Sequence, residues 1–215
     1  NVAKARLEII LLGLKDVTVL VATAAATALR NLLDDVRYDV LVSPGTTIDV
    51  VLGALVNELI RRLKESNHKC HEACVATLNQ ISRFPQSTSP ISSRNAPAPE
   101  GALLLYNAIT TLSSDHADKD AKGLGSRLEW CMQLLQNHKA LLKQNWKPAM
   151  AFAAHCLNSS NNKIRKNAVT LVTYVHRFAG KGIESFLEGV NPATVKMLMQ
   201  ELGEAGPSNT EEMLR

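Results

Sequence analysis

Apolar residues recur at intervals of three and four along most of this chain, the spacing that places them on one face of an α-helix. The clearest run consists of Val50, Val51, Ala54, Leu55, Leu59 and Leu63. The same spacing predicts helices over residues 8–14, 20–33, 70–81, 101–112, 128–142 and 163–178, and Pro148 suits the first turn of another that ends at 157. The pattern therefore predicts an all-α protein.

Two polar turns in the sequence have the same form. Residues 63–69 read Leu-Lys-Glu-Ser-Asn-His-Lys and residues 157–163 read Leu-Asn-Ser-Ser-Asn-Asn-Lys, both L-x-x-S-N-x-K. Each follows a predicted helix and offers Ser or Asn to cap the next one. Polar turns fall near residues 16, 67, 116 and 160, close to the roughly 45-residue period of two-helix HEAT units. We therefore predict an α-solenoid of about four HEAT-like helical hairpins, with the turns in a row along one edge.

The boundaries of this array follow from Pro and Gly. Residues 85–99 are rich in Ser and Pro, and Pro is incompatible with a helix interior, so we predict one long mobile linker over about 84–99. Gly180 and Gly182 interrupt the last hairpin, and Asn191 with Pro192 begins a final helix to about 202. We expect short C-terminal capping helices, a single array over 1–203 and a polar tail over 204–215.

Composition and charge favour a helical, soluble protein over a membrane protein or a nucleic-acid-binding protein. Apolar residues make up 46% of the chain and aromatic residues only 4%, as in close-packed helices. The sequence has no apolar run long enough for a bilayer and no signal-peptide layout at residues 1–4, so we predict a soluble protein without a membrane partner. The cysteines, whose pattern predicts reduced thiols, favour a cytoplasmic location. The sequence begins with Asn1, which suggests a fragment. The net charge of +4 is small for binding a nucleic acid but compatible with an acidic protein.

The four cysteines, Cys70, Cys74, Cys131 and Cys156, lie in apolar helical patterns, which predicts reduced, buried thiols. Residues 68–74 also read H-x-C-H-x-x-C, a possible set of zinc ligands. However, a closed zinc site needs four convergent ligands, and His71 is rotated by roughly 100° from Cys70 on a helix. We predict no metal and no cofactor; a zinc-binding or catalytic domain is the third hypothesis, and it requires stoichiometric zinc.

Catalytic motifs do not appear in the sequence. G-x-S-x-G, H-E-x-x-H and the phosphate-binding P-loop are all missing. The sequence therefore predicts that the chain is not an enzyme.

A family resemblance rests on the repeated turns and on the end of the array. Residues 63–78 and 157–172 resemble the turn and second helix of HEAT repeats. Residues 162–169, Asn-Lys-Ile-Arg-Lys-Asn-Ala-Val, followed by 186–192, Phe-Leu-Glu-Gly-Val-Asn-Pro, resemble the last repeat and final helix of TOG domains, the tubulin-binding arrays of microtubule regulators. Within that class the chain is more similar to ciliary and centrosomal proteins, or to the CLASP-like group, than to the polymerases. The resemblance implies a cytoskeletal location, at a centrosome or cilium in this narrower placement.

The resemblance also implies a binding site. In TOG domains the row of turns faces αβ-tubulin, whose acidic surface suits Lys and Asn donors. The matching positions here are Lys15, Thr18, Asn67, Lys69, Lys119, Lys122, Asn161, Lys163 and Lys166. The same residues also fit a simpler interpretation as helix caps and solvated lysines, and Arg165 can be read as packing across repeats.

The runner-up hypothesis is a HEAT scaffold that binds another protein or a peptide on its concave helical face, without affinity for tubulin. The sequence does not decide between this hypothesis and a tubulin-binding site on the turns.

Overall fold

The computed structural model describes residues 2–35, 47–83, 98–112 and 121–204. The predicted all-α class is confirmed, since these segments contain helices and no strand. The helices are α1 (Val2–Lys15), α2 (Val19–Asp35), α3 (Thr47–Arg62), α4 (His68–Ser82), α5 (Glu100–Thr110), α6 (Ala121–Asn137), α7 (Ala140–Asn145), α8 (Lys147–Leu157), α9 (Asn162–Ala179), a 3₁₀ helix (Gly180–Phe186) and α10 (Pro192–Glu204). Apart from residues 98, 99 and 204, the predicted linker and tail lie outside the described residues.

One helix begins earlier than the sequence predicted. The sequence predicted that this helix begins at residue 128, but α6 already begins at Ala121. Gly123 and Gly125 disfavour a helix by about 1 kcal/mol each relative to Ala. Leu124, however, is buried and lies four residues before the buried Leu128, so it extends the apolar face of α6 by one turn. Burial of this leucine outweighs the local preference of the glycines.

The chain divides into two compact units, residues 1–109 and 110–215. Helices α1 to α4 and nearly all of α5 belong to the first unit, and α6 to α10 belong to the second. The two helices of the third predicted hairpin, α5 and α6, therefore fall in different units. The single array over 1–203 stays a prediction.

In the first unit, the first helices of the two hairpins pack on each other, and so do the second helices. Helix α1 packs against α2 and α3, while α2 packs against α4. First helices thus stack on first helices and second helices on second helices, as in HEAT arrays. Gly13 allows the close crossing of α1 and α2, because a Cβ at this position would lie only 2.9 Å from Cβ of Ala25.

A buried arginine joins the two hairpins of the first unit. Arg62, the last residue of α3, is 3% exposed. Its Nε donates to the carbonyl of Leu14 at 2.9 Å and its Nη2 donates to the carbonyl of Asp16. Glu65 accepts from Nη1 at 3.0 Å, and Glu58 lies 3.6 Å from Nε. The carbonyls at the end of α1 have no donor within their own helix, so Arg62 provides one.

In the second unit, α9 is the central helix, and it packs against α6, α8, α10 and the 3₁₀ helix. Arg127 on α6 lies over the ring of Phe152, 4.8 Å from its centroid, and donates to the carbonyl of Thr111 at 2.6 Å. Asn158, after α8, donates to the carbonyl of Gly189 at 3.2 Å and accepts from the amide of Asn191 at 3.3 Å. The turn of this hairpin is therefore attached to the residues that precede α10.

We predict that Arg62→Met lowers the free energy of unfolding by about 3 kcal/mol, because it leaves the carbonyls of Leu14 and Asp16 without their donor and removes the cation that pairs with Glu58 and Glu65. Urea unfolding followed by far-UV circular dichroism measures the change. Arg61→Met is the matched control: Arg61 also pairs with Glu58, but its side chain is 48% exposed. That variant is expected to lose less than about 1 kcal/mol. Equal losses for the two variants would contradict a structural role for Arg62.

Candidate protein-binding turns

The asparagines of the two L-x-x-S-N-x-K stretches have nearly the same backbone conformation. Asn67 has φ −73° and ψ 114°, and Asn161 has φ −80° and ψ 118°. The Oδ1 atom of Asn67 accepts from the amide of Cys70 at 3.1 Å, and Oδ1 of Asn161 accepts from the amide of Lys163 at 2.9 Å. Both asparagines are therefore N-caps, which confirms that these are equivalent capping turns.

A second pair of equivalent residues closes each turn from the other side. His71 Nδ1 lies 3.0 Å from the carbonyl of Leu63, and Arg165 Nη1 donates to the carbonyls of Ser159 at 2.8 Å and Ser160 at 2.9 Å. In both cases the second helix returns a side chain to carbonyls at the end of the first helix or in the turn. Arg165 therefore bonds to its own turn, and these hydrogen bonds do not join different repeats.

The cysteines occupy core positions of the helices. Cys70 and Cys74 correspond in the repeated pattern to Ile164 and Ala168, and all four residues are buried. Burial raises the pKa of Cys74 to about 12, with a further contribution from the neighbouring Cys70. Burial likewise raises the pKa of Cys131 to about 12. The prediction of reduced, buried thiols is confirmed, and within the described residues no group of three His, Cys, Asp or Glu side chains is placed to hold a metal ion.

The first unit brings two of the predicted turns together. Lys15 and Thr18 lie at the α1–α2 turn, and Asn67 and Lys69 lie at the α3–α4 turn, with all four residues exposed. Arg62 joins these turns through the carbonyls of the first one. The amide of Thr18 donates to Oδ1 of Asp16 at 2.6 Å, and this hydrogen bond lowers the pKa of Asp16.

The second unit brings Lys122, Asn161 and Lys163 to one cavity of about 370 Å³ between the first turns of α6 and α9. Lys163 Nζ lies 3.6 Å from Oε1 of Glu129, which lines the same cavity. Lys166 instead lines a groove of about 500 Å³ between α9 and α10. Lys119 lies outside the described residues.

Sequence reasoning missed several residues at these turns. Val17 and Leu20, at the α1–α2 turn, are 94% and 77% exposed. When Thr18 is aligned with Asn67, Leu20 takes the position of Lys69, so a comparison of the repeats would have found it. Glu129 and Arg62 gave no such signal, because Lys163 and Leu14, which they contact, lie on other helices.

Comparisons with known proteins bear on the fold. No family model matches the sequence, and no curated protein does so either. One solved structure is similar to 92% of this chain, with a TM-score of 0.67 and 11% sequence identity. It comes from work on how TOG–tubulin binding specificity promotes microtubule dynamics and mitotic spindle formation. The fold is similar to that of a TOG-type HEAT-repeat domain. This confirms the predicted α-solenoid of helical hairpins, and the chain covers 66% of the length of that neighbour. None of the described helices is both long and apolar enough to span a bilayer.

We predict that the four buried cysteines resist thiol reagents at pH 8 in the native protein. A pKa of about 12 leaves almost no thiolate on Cys74 or Cys131, and burial blocks the reagent. Ellman's reagent should detect far fewer than four thiols before denaturation and all four after it. A Ser160→Cys variant, at an exposed turn position, provides the reactive control. Rapid native reaction of the wild-type thiols would contradict their core placement.

Proposed function

We propose that this chain is a non-catalytic tubulin-binding domain of a microtubule-associated regulator, and that it binds αβ-tubulin through its intra-hairpin turns. The observation that carries the proposal is the similarity of 92% of the chain to a structure from work on TOG–tubulin binding, with a TM-score of 0.67. The function implies a cytoskeletal location in the cytoplasm. The narrower placement at a centrosome or cilium rests on the sequence resemblance alone.

The distribution of charge at the turns supports an acidic partner. Lys15, Lys69 and Lys163 are exposed beside the α1–α2, α3–α4 and α8–α9 turns, and Lys122 is exposed in the first turn of α6. Lysines in such places form charge-assisted hydrogen bonds with carboxylates, and they accelerate and orient the encounter with an acidic surface. The surface of tubulin is of this kind.

Exposed apolar residues beside the first of these lysines support a protein partner. Val17 and Leu20 lie at the α1–α2 turn, and Ile9 and Leu12 on α1 are 68% and 70% exposed. Protein interfaces combine an apolar centre with a polar rim, whereas nucleic acids are bound mainly through their phosphates. The first turn has the composition of such an interface.

The capping asparagines have a different role in the proposed site from that of the lysines. Asn67 and Asn161 each use Oδ1 to cap a helix, so they fix the backbone of the turn. Lys69 and Lys163 follow them by two residues and point a charge outward from a turn that is already ordered. A preordered turn loses less conformational entropy on binding, which favours affinity.

We predict that Lys69→Gln with Lys163→Gln weakens binding to soluble αβ-tubulin by roughly tenfold, because two charge-assisted contacts are removed. Both side chains are solvent-exposed, so helicity and thermal melting are expected to stay unchanged. Analytical size exclusion and fluorescence anisotropy with labelled tubulin measure the affinity.

The matched control is Arg83→Gln with Lys147→Gln. It removes the same net charge from exposed residues at the opposite ends of α4 and α8 from the turns. Its affinity for tubulin should stay within about twofold of the wild type. Equal weakening by both double variants would show a non-specific charge effect, and a binding footprint on the helical face instead of the turns would favour the scaffold hypothesis.

We also predict that tubulin affinity falls as salt rises from about 0.05 M to about 0.3 M, because exposed charge pairs are screened over this range. The double lysine variant should show a shallower dependence than the wild type, since it lacks two of the screened contacts. Anisotropy titrations at four salt concentrations measure both slopes. Parallel slopes would argue that Lys69 and Lys163 do not contact the partner.

A further inference from the structure

The cavity beside Lys163 contains an acidic group of the protein itself. The cavity is lined by residues of α6, among them Lys122, Ser126 and Glu129, and by residues at the start of α9, among them Lys163. Oε1 of Glu129 lies 3.6 Å from Nζ of Lys163 and accepts from Nδ2 of Asn167 at 3.4 Å. The carboxylate of Glu129 therefore already pairs with Lys163, a residue that the sequence predicted to bind a partner.

The chemistry of the lining residues fits a carboxylate ligand. Lys122 and Lys163 supply two cationic side chains, and Ser126 adds a hydroxyl group. At about 370 Å³, the cavity has room for an acidic side chain of a partner. Ammonium and hydroxyl groups are donors that bind carboxylates in proteins.

We infer that this cavity binds an acidic side chain of the partner and that Glu129 is an internal competitor, which pairs with Lys163 until the partner's carboxylate replaces it. The inference deepens the proposed function and rests on its premise that the turns bind an acidic protein. Glu129 then limits the affinity of the site, because binding must break the Lys163–Glu129 pair.

The geometry of the pair permits this exchange. The Lys163 and Glu129 side chains are 79% and 55% exposed, and their contact is long. Exposed pairs of this kind contribute little to stability, so an incoming carboxylate can replace one partner at small cost. The Arg62–Glu65 pair in the first unit is different, since its arginine is 3% exposed and the contact is 3.0 Å. That pair cannot exchange without exposing a buried charge.

We predict that Glu129→Gln strengthens binding of an acidic partner about threefold to fivefold, because it frees Lys163 and removes repulsion from the cavity. Glutamine keeps the shape of the side chain and an acceptor for Asn167. Lys163→Gln should change affinity in the opposite direction. If Glu129 instead held Lys163 in its binding position, Glu129→Gln would weaken binding.

Glu8→Gln is the matched control. Glu8 forms an exposed pair with Lys4 on α1 at 3.7 Å, so this variant makes the same change in net charge away from the cavity. Its affinity should stay within about twofold of the wild type. An equal gain for Glu8→Gln and Glu129→Gln would overturn the inference, because the effect would then come from net charge alone.

The experiment uses two probes, soluble αβ-tubulin and a labelled poly-L-glutamate peptide, each titrated at about 0.05 M salt. Tighter binding of both probes by Glu129→Gln is the expected result. Tighter binding of poly-L-glutamate, with no wild-type affinity for tubulin, would overturn the proposed function and support the cavity. Unchanged or weaker binding of poly-L-glutamate by Glu129→Gln, or no binding by any variant, would overturn the inference.

Discussion

The turns of this protein depend on one constraint: the peptide groups that a helix leaves unpaired at its ends need partners. Asn67 and Asn161 accept hydrogen bonds from amides at the start of the second helices. His71 and Arg165, four residues later in each case, contact carbonyls at the end of the first helix or in the turn. Each turn is thus fixed from both sides by side chains of the helix that follows it. The lysines beside these caps, Lys69 and Lys163, are exposed to solvent, and Lys163 pairs with Glu129.

Arg62 extends the same constraint from one hairpin to the next. Its guanidinium provides donors for the carbonyls of Leu14 and Asp16, at the end of a helix in the neighbouring hairpin. A planar group with five donors suits this place better than an ammonium would, because several acceptors converge on it. Burying the charge has a desolvation cost, and the carboxylates of Glu58 and Glu65 offset it. Arg62 therefore adds a buried polar connection between two turns, whose helices also pack directly on each other.

The sequence predicted most of what depends on near neighbours along the chain. Helical periodicity identified most of the helices, but it read residues 128–142 as one helix, whereas α6 ends at Asn137 and α7 begins at Ala140. Asn67 and Asn161 were recognisable as caps because a cap bonds within its own first turn. The extension of α6 to Ala121 was missed because local rules weigh Gly123 and Gly125 against a helix, while Leu124 is buried by tertiary packing. Contacts between helices were also missed. Arg62 meets Leu14 across 48 residues, and Asn167 meets Glu129 across 38. The register between helices decides such pairs, and periodicity does not reveal it.

Burial decides what each ion pair of this protein can do. Arg62–Glu65 and Lys163–Glu129 join the same kinds of charge, but the first has a buried arginine and the second lies open to solvent. Removing one partner from the buried pair leaves a charge without compensation, so that pair maintains the fold. Either partner of the exposed pair can be hydrated or replaced at small cost, so that pair is free to change when another molecule arrives. A protein that recognises its partner through surface lysines can therefore tune affinity with nearby acidic residues, without any change to the core that positions them.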